Sequence, residues 1–409
     1  MALYNKCTHL TLTKTNTMQD VYILAAVRTP QGSFGGMLSS FTATELGAIA
    51  IRGAIARAHI PASEVDEVFM GNVVSANLGQ APARQAALGA GIGMNVPCTT
   101  VNKVCSSGMK AIMFGAQSIM LEQNDLVVAG GMESMSNIPF YVPQARWGLK
   151  YGDGKLVDGL AQDGLTDAYN QTAMGTSGDR TAEKYGISRA EQDAYAIRSY
   201  QRATTATEEG WFAEEIIPVE VPQRRGEPIS VREDEEYKRV DVNKIPRLKP
   251  AFSPDGTVTA ANASTINDGA SALILIGAKK LKELDLKPLA RIVSFADAAQ
   301  DPMWFTTAPS LAAPRALRRA GMEESDIDYF EVNEAFSVVP LVFTRDLSVD
   351  EDRLNIFGGG VSIGHPLGSS GSRIVCTLLN VLRQKDAKTG LATLCNGGGG
   401  ASALVIERV

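Results

Sequence analysis

Apolar and polar positions follow one another along this chain in segments that predict strands alternating with helices. The apolar run at residues 20–26 predicts a buried strand, and residues 65–74 and 125–129 predict two more. Thr42 and Glu45 fit a capping box, in which both side chains accept bonds from free N–H groups at a helix start. Apolar and small residues then recur near helical spacing, which predicts a helix carrying Leu46, Ile49, Gly53 and Ile55.

A similar order of elements returns near the C-terminus. Three features occur twice: a helix end with an acidic turn and a strand, a Ser-Ser-Gly step before a helix, and a strand that opens into glycines. They lie at residues 56–73 and 316–332, at residues 106–108 and 369–371, and at residues 125–131 and 391–398. Three matches in the same order indicate an internal duplication. The sequence therefore predicts an α/β fold with two βα-rich halves and buried sheets.

The chain between these halves differs in composition. Residues 139–266 are rich in charge, contain Trp147 and Trp211, and predict several helical segments. We interpret this stretch as an inserted loop domain that supplies substrate-binding surface; the alternative is a helical subdomain without ligand contact. The predicted domains are a disordered N-terminal extension at residues 1–19, an N-terminal half at 20–138 and 267–287, the loop domain at 139–266, and a C-terminal half at 288–409.

Composition narrows the class of protein. The 409 residues are 44% hydrophobic and 21% charged, which is typical of a soluble globular protein and excludes a mostly disordered chain. A net charge of −6 argues against a nucleic-acid partner bound through a basic surface. Runs of about 18 apolar residues, as a membrane helix needs, do not occur. Three His leave little room for a multi-His metal site, and five Cys without a Cys-x-x-Cys pair argue against a structural zinc ribbon or a disulfide framework.

Two cysteines lie where a reactive thiol is expected. Cys105 lies at a predicted junction between a strand and a helix, where partial positive charge and free N–H groups lower the pKa of a thiol. Cys395 ends a predicted strand that opens into the glycines at 397–400, whose N–H groups are the material of an oxyanion hole. The alternative for each is a small buried hydrophobe, as most free cysteines are.

Two further candidates accompany these thiols. His365 lies in the glycine-rich stretch 358–371 rather than on an apolar helix face, although a core histidine is the alternative. Asn333 and Glu334 follow a predicted strand, at the edge where doubly wound sheets bind ligands. Two thiols, one His and one Asn favour an acyl transfer combined with proton abstraction. A hydrolase needs one nucleophile, and a redox pair normally uses Cys-x-x-Cys.

The motifs around these residues resemble the thiolase family over residues 20 to 409. They read VNKVCSSGMKA at 101–111, NEAF at 333–336, GGGVSIGHPLGSSG at 358–371 and CNGGGGAS at 395–402, with GQAPARQAAL at 79–88 and AGGMESMSN at 129–137. Residues 234–241 and 259–270 are similar to the biosynthetic acetyl-CoA acetyltransferases of eukaryotic type. The resemblance implies a layered α-β-α-β-α core and a Claisen condensation of two acetyl-CoA to acetoacetyl-CoA, with thiolysis in reverse. Such a step leads toward mevalonate and sterols or belongs to ketone-body-type metabolism.

The resemblance also implies residue roles. Cys105 would carry the acetyl group, and His365 would activate the Cys105 thiol. Cys395 would be the acid and base. One oxyanion hole would use His365 with a water held by Asn333, and the other the N–H groups of Cys105 and Gly397. The implied CoA contacts are Ser264, Arg239, Met174, Tyr237 and Ala260. This chain has Ala173 where many relatives have His before the Met-Gly step, which affects CoA contacts rather than the reaction.

Further expectations follow from the same resemblance. A K⁺ ion is expected near Tyr237, Ala260, Ala261, Ala263 and Val361, and no other cofactor beyond the CoA substrates. We expect a homotetramer in the cytoplasm, with mitochondria as the alternative compartment. A degradative 3-ketoacyl-CoA thiolase is the alternative within the family. A decarboxylating ketoacyl synthase-like enzyme and a cysteine hydrolase are alternatives outside it, and both leave Cys395 without a role.

Overall fold

A computed structural model describes residues 18–409, so the predicted N-terminal extension lies outside the described residues except for its last two. Most strands join one sheet, in the order β12-β13-β14-β11-β1-β10-β5-β3-β4, with β2 beside β10. These strands are β1 Val21–Arg28, β2 Gly32–Ser33, β3 Glu67–Gly71, β4 Cys98–Val101 and β5 Leu126–Ser134. Two short hairpins follow, β6 Phe140–Tyr141 with β7 Val157–Asp158, and β8 Val219–Val221 with β9 Ile229–Val231. The remaining strands are β10 Asn267–Gly277, β11 Ala290–Ala299, β12 Tyr329–Val332, β13 Thr389–Asn396 and β14 Gly400–Arg408.

Helices connect these strands and cover both faces of the sheet. They are α1 Ala43–Ala58, α2 Pro82–Gly89, α3 Ser107–Met120, α4 Met174–Tyr185, α5 Arg189–Glu208, α6 Ala278–Glu283, α7 Pro309–Ala320, α8 Val338–Leu347, α9 Gly360–Ile363 and α10 Leu367–Gln384. Within residues 18–409, no helix combines the length and apolarity that crossing a membrane would require.

The sheet repeats one pattern on either side of its centre. Strands β3 and β5 are parallel and β10 runs antiparallel to β5; likewise β12 and β13 are parallel and β14 runs antiparallel to β13. Strands β1 and β11 join the halves by an antiparallel pairing of Tyr22 with Arg291 and Ile23 with Ala290. The three repeated sequence features fall on equivalent elements, namely β3 and β12, α3 and α10, and β5 and β13. The predicted duplication is therefore confirmed.

Three hydrophobic clusters separate the layers. In the first, α1 and α2 pack on the strands of the N-terminal half, with Ile51 fully buried. In the second, α7 and α8 pack on the strands of the C-terminal half around Val342. The third lies between the halves, where Met109 of α3 and Leu378 of α10 are fully buried. Helices α3 and α10 thus form a central layer, and the predicted layered α/β fold is confirmed.

Sequence signals that depend on neighbouring residues predicted the helix start correctly but not the length of a strand. The capping box is present, because Thr42 accepts from the Glu45 N–H and Glu45 accepts from the Thr42 N–H. The strand predicted at residues 65–74 is shorter, Glu67–Gly71, since the N–H groups of Val73 and Val74 leave the sheet to bind the Glu133 carboxylate. A long-range interaction therefore ended this strand.

A buried arginine ties the chain between residues 139 and 266 to the sheet. Arg28 at the end of β1 donates to Glu215 at 2.5 Å and to both carboxylate oxygens of Asp234 at 2.6 and 2.9 Å. All three side chains are buried, so removing Arg28 would leave two buried carboxylates without their counter-charge. This anchor holds the polar stretch that contains α4 and α5 beside the C-terminal strands.

Candidate active site

Cys105 lies in the short loop between β4 and α3, two residues before the helix begins. The residue before it, Val104, has φ of +49°, a left-handed conformation that is costly for a β-branched side chain. Ser107 stabilises this turn, since its hydroxyl accepts from the Lys103 N–H at 2.8 Å and donates to the Val104 carbonyl at 2.5 Å. The turn holds Cys105 at 9% exposure between the two halves of the molecule.

The environment of the thiol differs from the prediction. Burial raises the pKa of Cys105 to about 12, although the N–H groups of Gly397 and of Cys105 itself donate toward the sulfur and lower it. The predicted depression of this pKa is therefore wrong for the protein without substrate. Desolvation outweighs the donors because the thiol lies in the hydrophobic core between the halves. A base must accept the proton when the sulfur forms a bond.

Cys395 lies on the other side of this site, in β13, paired with Ala401 of β14. Burial and the neighbouring Cys105 raise the pKa of Cys395 well above its usual value. The Ser106 hydroxyl donates to the Asn396 side chain at 2.9 Å, so the residues that follow the two thiols are in contact. The turn that follows uses glycines in left-handed conformations, Gly398 at φ +82° and Gly399 at +86°. Gly397 precedes them, beside Val104, and its N–H group lowers the pKa of Cys105. The structure thus brings together both predicted thiols and the predicted donors.

His365 lies between α9 and α10. Its Nδ1 is 2.5 Å from the Ser370 hydroxyl, which donates its one hydrogen to the Pro366 carbonyl at 2.9 Å. A ring with its hydrogen on Nδ1 and a lone pair on Nε2 fits this contact, and the other tautomer fits when the Ser370 hydroxyl turns its hydrogen toward Nδ1. Burial and the nearby Arg373 charge lower the pKa of His365 to about 3, so the imidazole is neutral. The lone pair of the neutral ring can take up a proton from a thiol, but a pKa this low makes His365 a weak base in the protein without substrate.

Asn333 follows β12 and faces the His365 ring. Its Nδ2 lies 3.4 Å from Nε2 of His365, and its Oδ1 lies 3.4 Å from Nη2 of Arg373. The next residue, Glu334, accepts four hydrogen bonds, from Tyr195, Ser199, Asn355 and the Val361 N–H. Glu334 therefore fixes the segment that leads into His365.

Sequence reasoning missed Glu133, the last but one residue of β5. Its buried carboxylate accepts from the Val73 N–H at 2.9 Å, the Gly368 N–H at 2.8 Å and the Asn72 amide at 2.9 Å. Burial raises the pKa of Glu133 to about 7 despite these donors. The carboxylate ties the chain after β3 to the start of α10. An acidic residue inside an otherwise small and apolar strand was the available signal.

A cavity of about 590 Å³ leads to this site. His365 and Leu367 lie on its wall, together with four of the predicted CoA contacts: Ser264, Arg239, Met174 and Ala260. The fifth, Tyr237, does not line the cavity. It packs at the edge of a separate cluster that contains Ala261 and Val361, and its hydroxyl lies 3.3 Å from Glu233. The predicted CoA residues therefore divide between a cavity wall and this adjoining cluster.

Comparison with known proteins gives matches to thiolases over nearly the whole chain. The family model for the thiolase N-terminal domain matches residues 21–279, and that for the thiolase C-terminal domain matches residues 286–408. An acetyl-CoA acetyltransferase of Schizosaccharomyces pombe is 61% identical over 95% of this chain and 99% of its own length. A cytosolic acetyl-CoA acetyltransferase of Gibberella zeae is 54% identical over 95% and 98%, and a mitochondrial one of Mus musculus is 52% identical over 99% and 95%.

Among solved structures, a thiolase from Ascaris suum in complex with coenzyme A matches with a TM-score of 0.91. It is 46% identical and covers 96% of this chain and 100% of its own.

Proposed function

The chain belongs to the thiolase family, and from this premise we propose that it is an acetyl-CoA C-acetyltransferase. It joins two molecules of acetyl-CoA into acetoacetyl-CoA and CoA, and it catalyses the reverse thiolysis. The observation that carries this proposal is the 61% identity to an acetyl-CoA acetyltransferase over 95% of the chain. The two thiols and the neutral imidazole of the site also support this proposal, because an acyl transfer with proton abstraction uses such groups.

The first half of the reaction is acyl transfer to Cys105. Its sulfur bonds to the acetyl carbon of acetyl-CoA, the bond between that carbon and the CoA sulfur breaks, and the thiol proton passes through Nε2 of His365 to the departing CoA. The N–H groups of Cys105 and Gly397 support this role, since both lower the pKa of the reacting thiol and so favour negative charge beside it. Each well-placed donor stabilises the oxyanion by about 3 kcal/mol.

The second half forms the carbon–carbon bond. The Cys395 thiol passes its proton to Nε2 of His365, and the thiolate then removes a proton from the methyl group of a second acetyl-CoA. The enolate oxygen is stabilised by the hydrogen now on Nε2 and by a water held by Asn333. The enolate carbon attacks the acetyl group on Cys105, whose sulfur leaves and takes up the proton held by His365, so that both thiols are protonated again. The raised pKa of Cys395 supports this role, because a more basic thiolate is better matched to a weak carbon acid.

The cavity supports binding of a long thioester. Met174 and Phe252 give an apolar wall, Ser264 gives a hydroxyl, and Arg239 gives a positive charge. We propose that the acyl end lies toward His365 and the charged end of CoA toward Arg239. Ala173 caps α4 without a side-chain hydrogen bond, so this position contributes no polar contact to the helix start.

A thiolysis assay with acetoacetyl-CoA and CoA tests the proposal. Cys105→Ser and Cys395→Ser should each abolish turnover, and only Cys395→Ser should still be acetylated by acetyl-CoA, which intact-mass spectrometry detects. Cys98→Ser is the matched control, since Cys98 lies at the start of β4 outside the site. A near wild-type rate for Cys395→Ser would exclude its role as base. Faster turnover of longer 3-ketoacyl-CoAs would favour the degradative alternative.

We propose that K⁺ binds beside the cavity and activates the enzyme. Among the described residues, no donor is bonded to the carbonyl oxygens of Ala260, Ala261 or Ala263, so these atoms are available to a cation. Tyr237 and Val361 lie in the adjoining cluster. The ion would supply a fixed positive charge that orders this loop. Replacing K⁺ by Na⁺ at constant ionic strength should lower the thiolysis rate, and an unchanged rate would contradict the proposal.

We also propose a homotetramer with a cytosolic location. Exposed apolar side chains between β6 and α4 support the assembly, namely Phe140, Val142, Trp147, Leu149, Tyr151 and Leu156. Light scattering should give four times the 43.5 kDa of one chain, and a monomer would refute this state.

The cytosolic relative from Gibberella zeae supports the location, and the mitochondrial relatives supply the alternative. A fluorescent fusion of the full chain distinguishes them. The same relatives support a role toward mevalonate and sterols or in ketone-body-type metabolism.

A further inference from the structure

A lysine in the Cys105 loop spans the boundary between the two halves. Nζ of Lys103 donates to Asp297 Oδ1 at 2.6 Å, to the Ser402 hydroxyl at 2.8 Å and to the Ala401 carbonyl at 3.2 Å. These three acceptors use all three hydrogens of the ammonium group. The Ser402 hydroxyl in turn donates to Asp297 Oδ1 at 2.7 Å. The lysine is therefore held in one geometry rather than being a freely moving surface charge.

The acceptors lie on the strands that carry the second thiol. Asp297 on β11 pairs directly with Ser402 on β14, and Ala401 pairs directly with Cys395 on β13. Lys103 is two residues before Cys105, so its ammonium joins the backbone of one thiol to the strand partner of the other. Along the chain, by contrast, the two thiols are connected only through a long stretch of residues.

The same loop contains a conformation that needs external support. Val104 lies between Lys103 and Cys105 with φ of +49°, a region that β-branched residues rarely adopt. Such residues persist where the surroundings over-determine the backbone. On the other side of Cys105, the Ser106 hydroxyl donates to Asn396 Oδ1 at 2.9 Å. The strained turn is thus fixed from both sides by groups of the C-terminal half.

The charged groups around Asp297 favour its ionised form. Lys110 of α3 donates to Asp297 Oδ2 at 2.7 Å, so two ammonium groups face one carboxylate. Burial raises the pKa of Asp297, but the hydrogen bonds from Lys103, Lys110 and Ser402 outweigh burial and lower it to about 2. The carboxylate is therefore charged throughout the neutral range, while burial lowers the pKa of Lys103 from its usual value. Lys110 lies inside α3, where helical hydrogen bonds already hold the backbone.

We propose that Lys103, Asp297 and Ser402 form a cross-link that fixes the Cys105 thiol relative to the Cys395 thiol. Lys103 and Asp297 are positioning residues that touch neither substrate nor the reacting atoms. This inference rests on the proposed roles of the two thiols. A displacement of about 1 Å between reacting groups lowers a rate by up to roughly 100-fold, so a loosened loop should act on turnover more than on CoA binding.

The test compares Lys103→Met with Lys110→Met in the full-length enzyme. Both variants remove one ammonium from Asp297, but only Lys103→Met frees the Cys105 loop. We expect kcat for thiolysis to fall by roughly 10- to 100-fold in Lys103→Met with KM changed less than about twofold, and both constants to stay within about twofold in Lys110→Met. Asp297→Asn, which keeps the shape of the side chain, is the second variant should Lys103→Met not fold.

A third substitution tests the link to the backbone. Glycine adopts positive φ at little cost, so Val104→Gly removes the demand for external support. In a Val104→Gly background, Lys103→Met should therefore lower kcat much less than it does in the wild type. Additive effects of the two substitutions, or equal losses in Lys103→Met and Lys110→Met, would overturn the proposal.

A measurement without turnover separates this inference from the proposed function. Amide hydrogen exchange in residues 102–106 should be faster in Lys103→Met than in wild type, with exchange in β13 unchanged. If the wild type failed to catalyse thiolysis, the proposed function would fall while the exchange result still reported on the cross-link. An active wild type with unaltered exchange and kcat in Lys103→Met would refute the cross-link alone.

Discussion

Replacing Glu334 by Gln changes one buried oxygen into an NH₂ group and leaves the volume of the side chain the same. Oε1 of Glu334 accepts from the Tyr195 hydroxyl at 2.7 Å and the Asn355 amide at 3.1 Å. Oε2 accepts from the Ser199 hydroxyl at 2.7 Å and the Val361 N–H at 3.1 Å. A hydroxyl can rotate and accept instead, whereas an N–H group cannot. In either orientation, the new NH₂ therefore faces one donor that is left without a partner.

The magnitude follows from these contacts. A buried donor without an acceptor costs about 1–3 kcal/mol, and the remaining bonds weaken because they lose a charged acceptor. We expect Glu334→Gln to lower the free energy of unfolding by roughly 2–4 kcal/mol. Because Val361 begins the segment that leads to His365, kcat should fall as well. Urea unfolding followed by tryptophan fluorescence measures the first effect, and the thiolysis assay measures the second.

Glu351→Gln is the matched control. Glu351 also pairs with α5, through Arg198, but both side chains are partly exposed to solvent. Such a pair contributes only about 0–1 kcal/mol, so this variant should unfold almost as the wild type does. A Glu334→Gln protein that is as stable as the wild type, or more stable, would refute the reasoning. That result would mean that burying the carboxylate costs more than its four hydrogen bonds return.

Two further predictions concern packing and pH. A Cβ at Gly131 would lie 2.0 Å from the Gly368 carbonyl oxygen, so Gly131→Ala should unfold at a clearly lower urea concentration and lose activity. At Gly164 the nearest atom is the flexible end of Leu367 at 3.2 Å, so Gly164→Ala should change the urea midpoint much less. Equal midpoints for the two variants would contradict this reasoning. His365 binds its proton only near pH 3 when folded and near 6.5 when unfolded, so the unfolded state takes up protons first and stability falls as the pH drops below about 6.5. Between pH 6.5 and 5.0, the free energy of unfolding of His365→Gln should therefore fall less than that of the wild type, by up to about 2 kcal/mol. Equal falls in urea titrations at the two pH values would show that His365 is not the source of the pH dependence.

Local signals gave the correct elements where the physical cause lies within a few residues. The capping box at Thr42 and Glu45 depends on contacts three residues apart, so the sequence sufficed to place the start of α1. The glycines after Cys395 predicted that the strand opens into a loop, and two of them have positive φ there. Repeated motifs predicted the duplication, because each half folds by the same local pattern.

Contacts between distant residues could not be predicted in this way. The four donors around Glu334 come from α5 and from residues 355 and 361, and their convergence depends on how α5 packs against the C-terminal half. Glu133 and Asp297 escaped notice for the same reason, since their partners lie far away along the chain. The register that pairs Ala401 with Cys395 is fixed only when β13 and β14 form a sheet.

The sequence by itself determined which residues are available for chemistry and which family pattern they follow. Three His and five Cys leave few candidates, and the motifs around Cys105, His365 and Cys395 single them out. Only the tertiary structure decided their electrostatic state. A helix start lowers the pKa of a thiol in water, but Cys105 is buried between two halves of the molecule, and its pKa rises to about 12. Burial is a property of the assembled layers, which no local pattern contains.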